Sequence, residues 1–348
     1  MIDGDYAIAE IIEGVGTEFE SVRYVDMDGD GNMEIVVGWQ MGTTLKHMTI
    51  YSLRDFHAVL LAWADYDEIA VYDVTGDSND DVIVFRLPTQ DTGAVAEMFK
   101  LMPDREIVNT ETRLSSNIET IARVLTGNLH DGQPAIFVES EARLDEDVLV
   151  TDICVYLDGV FTNISFKGLA GISEETVRSR IPRILSSDIK EDGVIKVPMP
   201  RLLQAQSETP YYAIDWYSFD RHGTSRLALT TYHNTFDEWF LILPFDWRGK
   251  VSVRREDVFT GERTVIFSFI AEEDGPYEDF LKVYKITGDA REERARLPGR
   301  AMIVSEGMAV YAFELLAPPN SFGLTFDESL ISNNFRLIYS DWLVGTIG

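Results

Sequence analysis

The chain has 348 residues, 45% of them hydrophobic and 11% aromatic, which is enough to bury more than one core and excludes a disordered chain. Its 59 acidic and 30 basic residues leave a net charge of -29, which repels phosphate backbones and anionic membrane faces, so no nucleic-acid partner is expected. No run of about 18 apolar residues marks a transmembrane segment, and the one cysteine, Cys154, sits in the apolar stretch Val150–Tyr156 and reads as a buried structural thiol rather than half of a disulfide.

In chain order, residues 6–12 already read as a strand, and no signal peptide is visible. A chain that starts in mid-pattern suggests a longer precursor. Residues 22–38 (VRYVDMDGDGNMEIVVG) and 69–85 (IAVYDVTGDSNDDVIVF) then align without a gap as strand, acidic loop, strand, with Asp26 and Asp73 in the same position. Leu125–Val138 is a weaker third copy, matching Asp131-Gly132 to Asp30-Gly31. Asp188–Val197 and Trp216–Leu229 are a fourth and fifth candidate.

Further strands follow each clear copy: His47–Leu53 and Ala58–Trp63 after the first, Ala94–Leu101 after the second. A unit therefore holds about four strands over roughly 40–50 residues, the size of a propeller blade. One such sheet cannot bury both faces alone, whereas stacked sheets can. The fold expected is mainly β: propeller-like blades over residues 1–235, forming a closed or incomplete ring. The pattern changes near residue 236. Longer strands without acidic loops follow, Arg291–Arg300 reads as a solvated connection, and a capping box, Thr325-x-x-Glu328, opens a short helix. Residues 236–348 are expected to form a separate C-terminal α+β domain.

Calcium takes six to eight hard oxygen ligands at flexible geometry. In the first loop, alternating Asp26, Asp28 and Asp30 point three carboxylates at one centre, and Gly31 permits the sharp turn. Asn32 can add its backbone carbonyl, and Glu34 closes the shell at the ninth position. An EF-hand would need a bidentate Glu at the twelfth position, where Val37 stands, and a following helix, where Ile35-Val36-Val37 reads as strand. An exposed acidic turn is the plain alternative, and Ca²⁺ is the preferred reading. The second loop keeps Asp73, Asp77, Asn79 and Asp81, but Thr75 and Ser78 replace a carboxylate and the glycine. It either binds metal weakly or stands as a turn held by Asx hydrogen bonds. The third offers Gly127, Leu129 and Ala135 at ligand positions and is expected to bind none.

These residues resemble the FG-GAP/VCBS repeat family, with its Asp-x-Asp-x-Asp-Gly-x-x-Glu/Asp loops, familiar from the integrin α-subunit propeller. Through Val37-Gly38-Trp39-Gln40, Thr231-Tyr232-His233-Asn234, Lys285-Ile286-Thr287-Gly288-Asp289 and Ser340-Asp341-Trp342 the chain is similar to uncharacterised VCBS-repeat lipoproteins of gut Firmicutes. The resemblance implies a β-propeller, Ca²⁺ in its loops and an extracytoplasmic, cell-surface place. Anchoring through a lipobox in the full-length precursor is expected, although this sequence shows no lipobox. It also implies adhesion or ligand binding, with a cell-envelope protein or a glycan as partner.

Signs of an enzyme are thin. The five histidines show no zinc spacing, and neither a nucleophile elbow nor a phosphate-binding loop occurs. The cluster Tyr232–Trp239 mixes a candidate base with carboxylates and aromatics, but reads better as a polar turn between strands. Asp215 with Asp220, or Glu272 with Glu273, suggest a glycosidase pair only if separation and pocket fit. The leading expectation is thus a non-catalytic surface binding or scaffold protein. The alternative is a carbohydrate-active hydrolase with a carboxylate pair in a central propeller pocket.

Overall fold

The computed structural model describes residues 10–14, 16–54, 57–144, 146–166, 171–204, 208–271 and 275–339. Glu272, Glu273 and Ser340-Asp341-Trp342 lie outside them. Most strands pair with their sequence neighbours, so the chain builds antiparallel sheets one after another. The first holds β1 (Glu18–Val25), β2 (Glu34–Met41), β3 (Leu45–Arg54) and β4 (His57–Tyr66). The second holds β5 (Glu68–Tyr72), β6 (Asp81–Arg86), β7 (Val95–Leu101) and β8 (Ile107–Arg113). These two have the four-strand composition expected of the repeat unit, and the acidic loops join the first strand of each to the second.

The third sheet contains β9 (Ile118–Asn128), β10 (Pro134–Arg143), β11 (Asp147–Leu157) and β12 (Val160–Asn163), with β13 (Arg178–Ser179) paired to β11. The fourth contains β14 (Val197–Leu202), β15 (Tyr212–Phe219), β16 (Ser225–Asn234) and β17 (Trp239–Leu243). The fifth runs in the order β18 (Val251–Phe259), β19 (Glu262–Ile270), β20 (Tyr277–Thr287), β22 (Ala309–Leu315), β21 (Arg300–Glu306). The last strand, β23 (Phe335–Leu337), returns to pair with β17.

The chain divides into two compact units. One contains the residues up to Val197 together with Ser218–Arg226. The other contains Pro198–Tyr217 and, among the described residues, 227–339. In the first unit the second sheet is apolar on both faces. Val82, Val84, Phe99 and Leu101 share a core with Val36, Met48 and Ile50 of the first sheet. Ile83, Phe85, Ala96 and Met98 share another with Ile136, Val138, Val150 and Cys154 of the third. Cys154 is fully buried there, and burial pushes its thiol pKa up. In the second unit Tyr232, Trp239 and Leu241 pack with Phe267, Phe280 and Val283.

The C-terminal half departs from expectation in several ways. The boundary placed at 235/236 falls in the turn of a hairpin, since Asn234 pairs with Trp239 and His233 with Phe240. A change of loop chemistry at that point is not a change of domain. The region is not α+β but mainly β, its α-helices being only α1 (Arg291–Ala295) and α2 (Glu328–Asn334) among the described residues. Finally, α2 is capped by Asp327, whose side chain accepts from the Leu330 amide at 2.7 Å. The Thr325 hydroxyl and amide are taken by Asp246 instead. The Arg291–Arg300 segment is also tied down: Arg294 and Arg300 both bond Glu262, and Ala295 is buried.

Candidate metal centre

The first acidic loop joins β1 to β2, so strand pairing fixes both ends. Within it, Asp26 accepts the amides of Gly29 (2.8 Å) and Gly31 (3.2 Å) with its two oxygens. Both glycines have positive φ, 72° and 81°, the left-handed turn that costs a glycine little. Met27, fully buried, donates its amide to Glu34 Oε2 at 3.2 Å. The loop thus curls around its own carboxylates, as the spacing predicts.

Three of the four expected carboxylates converge. One oxygen each from Asp26, Asp28 and Glu34 lie within 4.8 Å of one another. Glu34 has no exposed surface, and its Oε1 is buried without a hydrogen-bond partner. Burial first, and then the charges of Asp28 and Asp30, push its carboxyl above the usual range against the Met27 amide and the Ser52 hydroxyl, which favour the charged form. An orphaned, desolvated carboxylate oxygen facing two more carboxylates is short of positive charge, which a hard cation supplies. The donor set fits Ca²⁺ and lacks the nitrogen and sulfur ligands that favour zinc.

The Asp30 carboxylate is not one of the three that meet. Asp30 accepts the Asn32 amide at 2.8 Å and side chain at 3.0 Å, and it pairs with Arg54 of β3. These bonds hold its carboxyl below the usual range, the Asn32 amide contributing most. Arg54 also lies 3.6 Å from Asp28, so one guanidinium already serves the outer side of the loop. Its reach across the sheet is invisible in the loop's own sequence.

The second loop repeats the turn with different contents. Asp73 accepts the amides of Gly76, Asp77 and Ser78, and Gly76 and Ser78 have positive φ like Gly29 and Gly31. Asp81 is fully buried and its Oδ2 accepts the amides of Val74 and Thr75. Burial pushes its pKa up to about 6, against the pull of Lys100. Lys100 of β7 reaches into this loop: its Nζ bonds Asp77 and Thr75 Oγ1 (3.0 Å) and lies 3.7 Å from Asp81 Oδ1. Asn79 does not face its own loop centre; its Oδ1 abuts Gly29, where an added Cβ would sit 2.5 Å away. The Asp80 amide donates to the Asp26 carbonyl at 3.1 Å, so the two loops are joined.

Elsewhere the flagged residues have structural partners. In the third loop Leu129 and Ala135 are core residues without ligand atoms, and Asp131 pairs with Arg221 at 2.7 Å. Asp215 is held by Arg201 (3.0 Å), Arg248 (2.9 Å) and Thr230 (2.7 Å), and Asp220 accepts amides of His222 and Thr224. His233 is stacked on Phe240, and burial lowers its pKa to about 3. Asp237 of the same turn pairs with Arg263 at 2.5 Å and accepts from Asn234. Among the described residues no helix is long and apolar enough to cross a membrane. No known family model matches the chain, and no curated protein is significantly similar to it.

Proposed function

We propose that this chain is a non-catalytic binding or scaffold protein of the cell surface, built of FG-GAP/VCBS-like propeller blades and stabilised by one calcium ion in its first acidic loop. The observation that carries the reading is the meeting of Asp26, Asp28 and Glu34 with an unpartnered buried oxygen on Glu34. The ion's role is structural: it supplies charge where the loop closes over the core of the first two sheets. Extracytoplasmic location, with a lipid anchor in the precursor, accords with this reading, because free calcium at the level such loops bind is found outside the cytoplasm.

A binding surface accompanies the loop. Phe19, Val22, Tyr24 and Trp63 are exposed on one face of the first sheet, where Val22 and Trp63 stand in one cross-strand row through Val37 and Thr49. Exposed rings of this kind stack on sugar rings or on a protein partner's apolar side chains without any catalysis. Thermal melting of the full chain in EDTA and in Ca²⁺ tests the metal reading. Ca²⁺ at a hundred times its Kd raises stability by about 2.7 kcal/mol. Asp28→Ala abolishes most of that gain, whereas Asp77→Ala leaves it in place. An unchanged melting temperature in Ca²⁺ rules the reading out.

A further inference from the structure

Three of the acidic loops share one backbone but not one charge. Asp188 accepts amides four and five residues on, from Asp192 (3.0 Å) and Gly193 (2.7 Å); Asp73 accepts those three, four and five on, and Asp26 those three and five on, so the amide five residues on is common to all three. Glu191 and Gly193 take positive φ where Gly29 and Gly31, and Gly76 and Ser78, do so. Counting from the first Asp, the ninth position is Glu34 in the first loop, Asp81 in the second and Lys196 in the fourth.

The fourth loop therefore puts an ammonium where the first puts its buried carboxylate. Lys196 Nζ lies 2.6 Å from Asp192 Oδ1, 3.5 Å from Asp188 Oδ1 and 2.7 Å from the Val194 carbonyl, and its side chain is 3% exposed. The second loop reaches the same end across the sheet. In the first sheet Glu34 pairs with Ser52. In the second, one step beyond the Val82–Phe99 pair, Asp81 stands opposite Lys100. A small hydroxyl in one sheet is thus replaced by a lysine in the other, and its Nζ bonds Asp77 and Thr75 beside Asp81.

We infer that Lys100 and Lys196 are built-in cations that hold the second and fourth loops without metal, so that the chain takes up a single divalent ion, at Asp26, Asp28 and Glu34. An ammonium offers three N–H donors and a compact charge, a match for three converging oxygens. A divalent ion entering either loop meets that charge at contact distance and has to displace it from oxygens it already bonds. The inference rests on the calcium reading for the first loop alone.

The test is metal stoichiometry in the full chain, by calorimetry with Ca²⁺ and by Tb³⁺ luminescence. Wild type takes one equivalent. Lys100→Ser, which copies Ser52, takes a second, and so does Lys196→Glu, which copies Glu34. Each variant melts lower than wild type in EDTA and recovers in Ca²⁺, which also shows that it is folded. Wild type binding two or more ions overturns the inference, as does an unchanged stoichiometry in both folded variants. Wild type binding none overturns the calcium reading of the first loop instead. The lysines are then judged on the increment alone: one ion gained by either variant supports the inference, and none gained by both overturns it.

Discussion

Replacing Glu34 by Gln separates the two roles a buried carboxylate can have, because its sign of effect depends on calcium. In EDTA, wild type buries a charge whose Oε1 has no partner and which faces Asp28. Burying an unsatisfied polar group costs about 1–3 kcal/mol, more when it is charged. Gln keeps a carbonyl oxygen for the Met27 amide, now accepted by Oε2 at 3.2 Å. It also turns an NH₂ donor toward the remaining carboxylates. The variant should therefore be about 1 kcal/mol more stable than wild type in EDTA. At a Ca²⁺ concentration a hundred times Kd, wild type gains about 2.7 kcal/mol and the variant little of it, so the order reverses by roughly 2 kcal/mol. Urea melts of the full chain in the two buffers read both values. A variant shifted equally in both buffers means that calcium does not act through Glu34, and the metal argument fails.

Three other changes probe the loop and the rest of the fold. Arg178→Met leaves the buried Glu139 carboxylate without its guanidinium and should cost roughly 3–5 kcal/mol in urea melts, with Glu139→Gln added back recovering part of it. Gly29→Ala forces a left-handed turn on alanine and drives its Cβ against Asn79; a loss of about 1–3 kcal/mol is expected, with weaker calcium binding by calorimetry. In the second unit, burial raises the Glu262 carboxyl, but Arg300 and Arg294 more than offset this and hold it below the usual range. A depressed pKa contributes stability that is complete above the unfolded value of about 4.3 and is lost as pH falls through the folded one. Glu262→Gln should thus cost roughly 2 kcal/mol at neutral pH. The gap to wild type should close in melts taken at progressively lower pH below 4.5; a constant gap at all pH values refutes the ion-pair account.

Much of the fold is legible in the sequence because its cues are local. The order of apolar strand, acidic loop and apolar strand around Asp26 and Asp73 marks the hairpins β1–β2 and β5–β6, and the spacing within the first loop marks the carboxylates that meet. What the sequence hides is set by partners far along the chain. Arg54 draws Asp30 away from the cluster, and Lys100 fills the second loop, only because strand register brings β3 and β7 alongside. Lys196 could have been found by counting nine residues from Asp188, had the ninth position been searched for a cation as well as for a carboxylate. The false boundary at 235 has the opposite cause: a polar turn, Asn234–Asp237–Arg263, is satisfied by charges of the neighbouring strands and so looks like a linker.

The shared turn also changes what the metal is for. From sequence alone, calcium fixes the turn between two strands. Yet Asp73 and Asp188 hold the same turn with a lysine at hand, through bonds from backbone amides to the first Asp. The first loop has those bonds too, so its shape depends on Asp26 and only its charge balance depends on a cation. Asp26→Ala should therefore cost about 1–2 kcal/mol in EDTA, as the loss of a capping side chain does, and more in Ca²⁺. Asp28, which accepts the Asp30 amide at 3.2 Å and has no part in the bonds that shape the turn, should matter little in EDTA and chiefly in Ca²⁺. Urea melts of both variants in the two buffers decide this. If Asp26→Ala is neutral in EDTA, the turn is shaped by the ion after all, and the lysine-filled loops are not its equivalents.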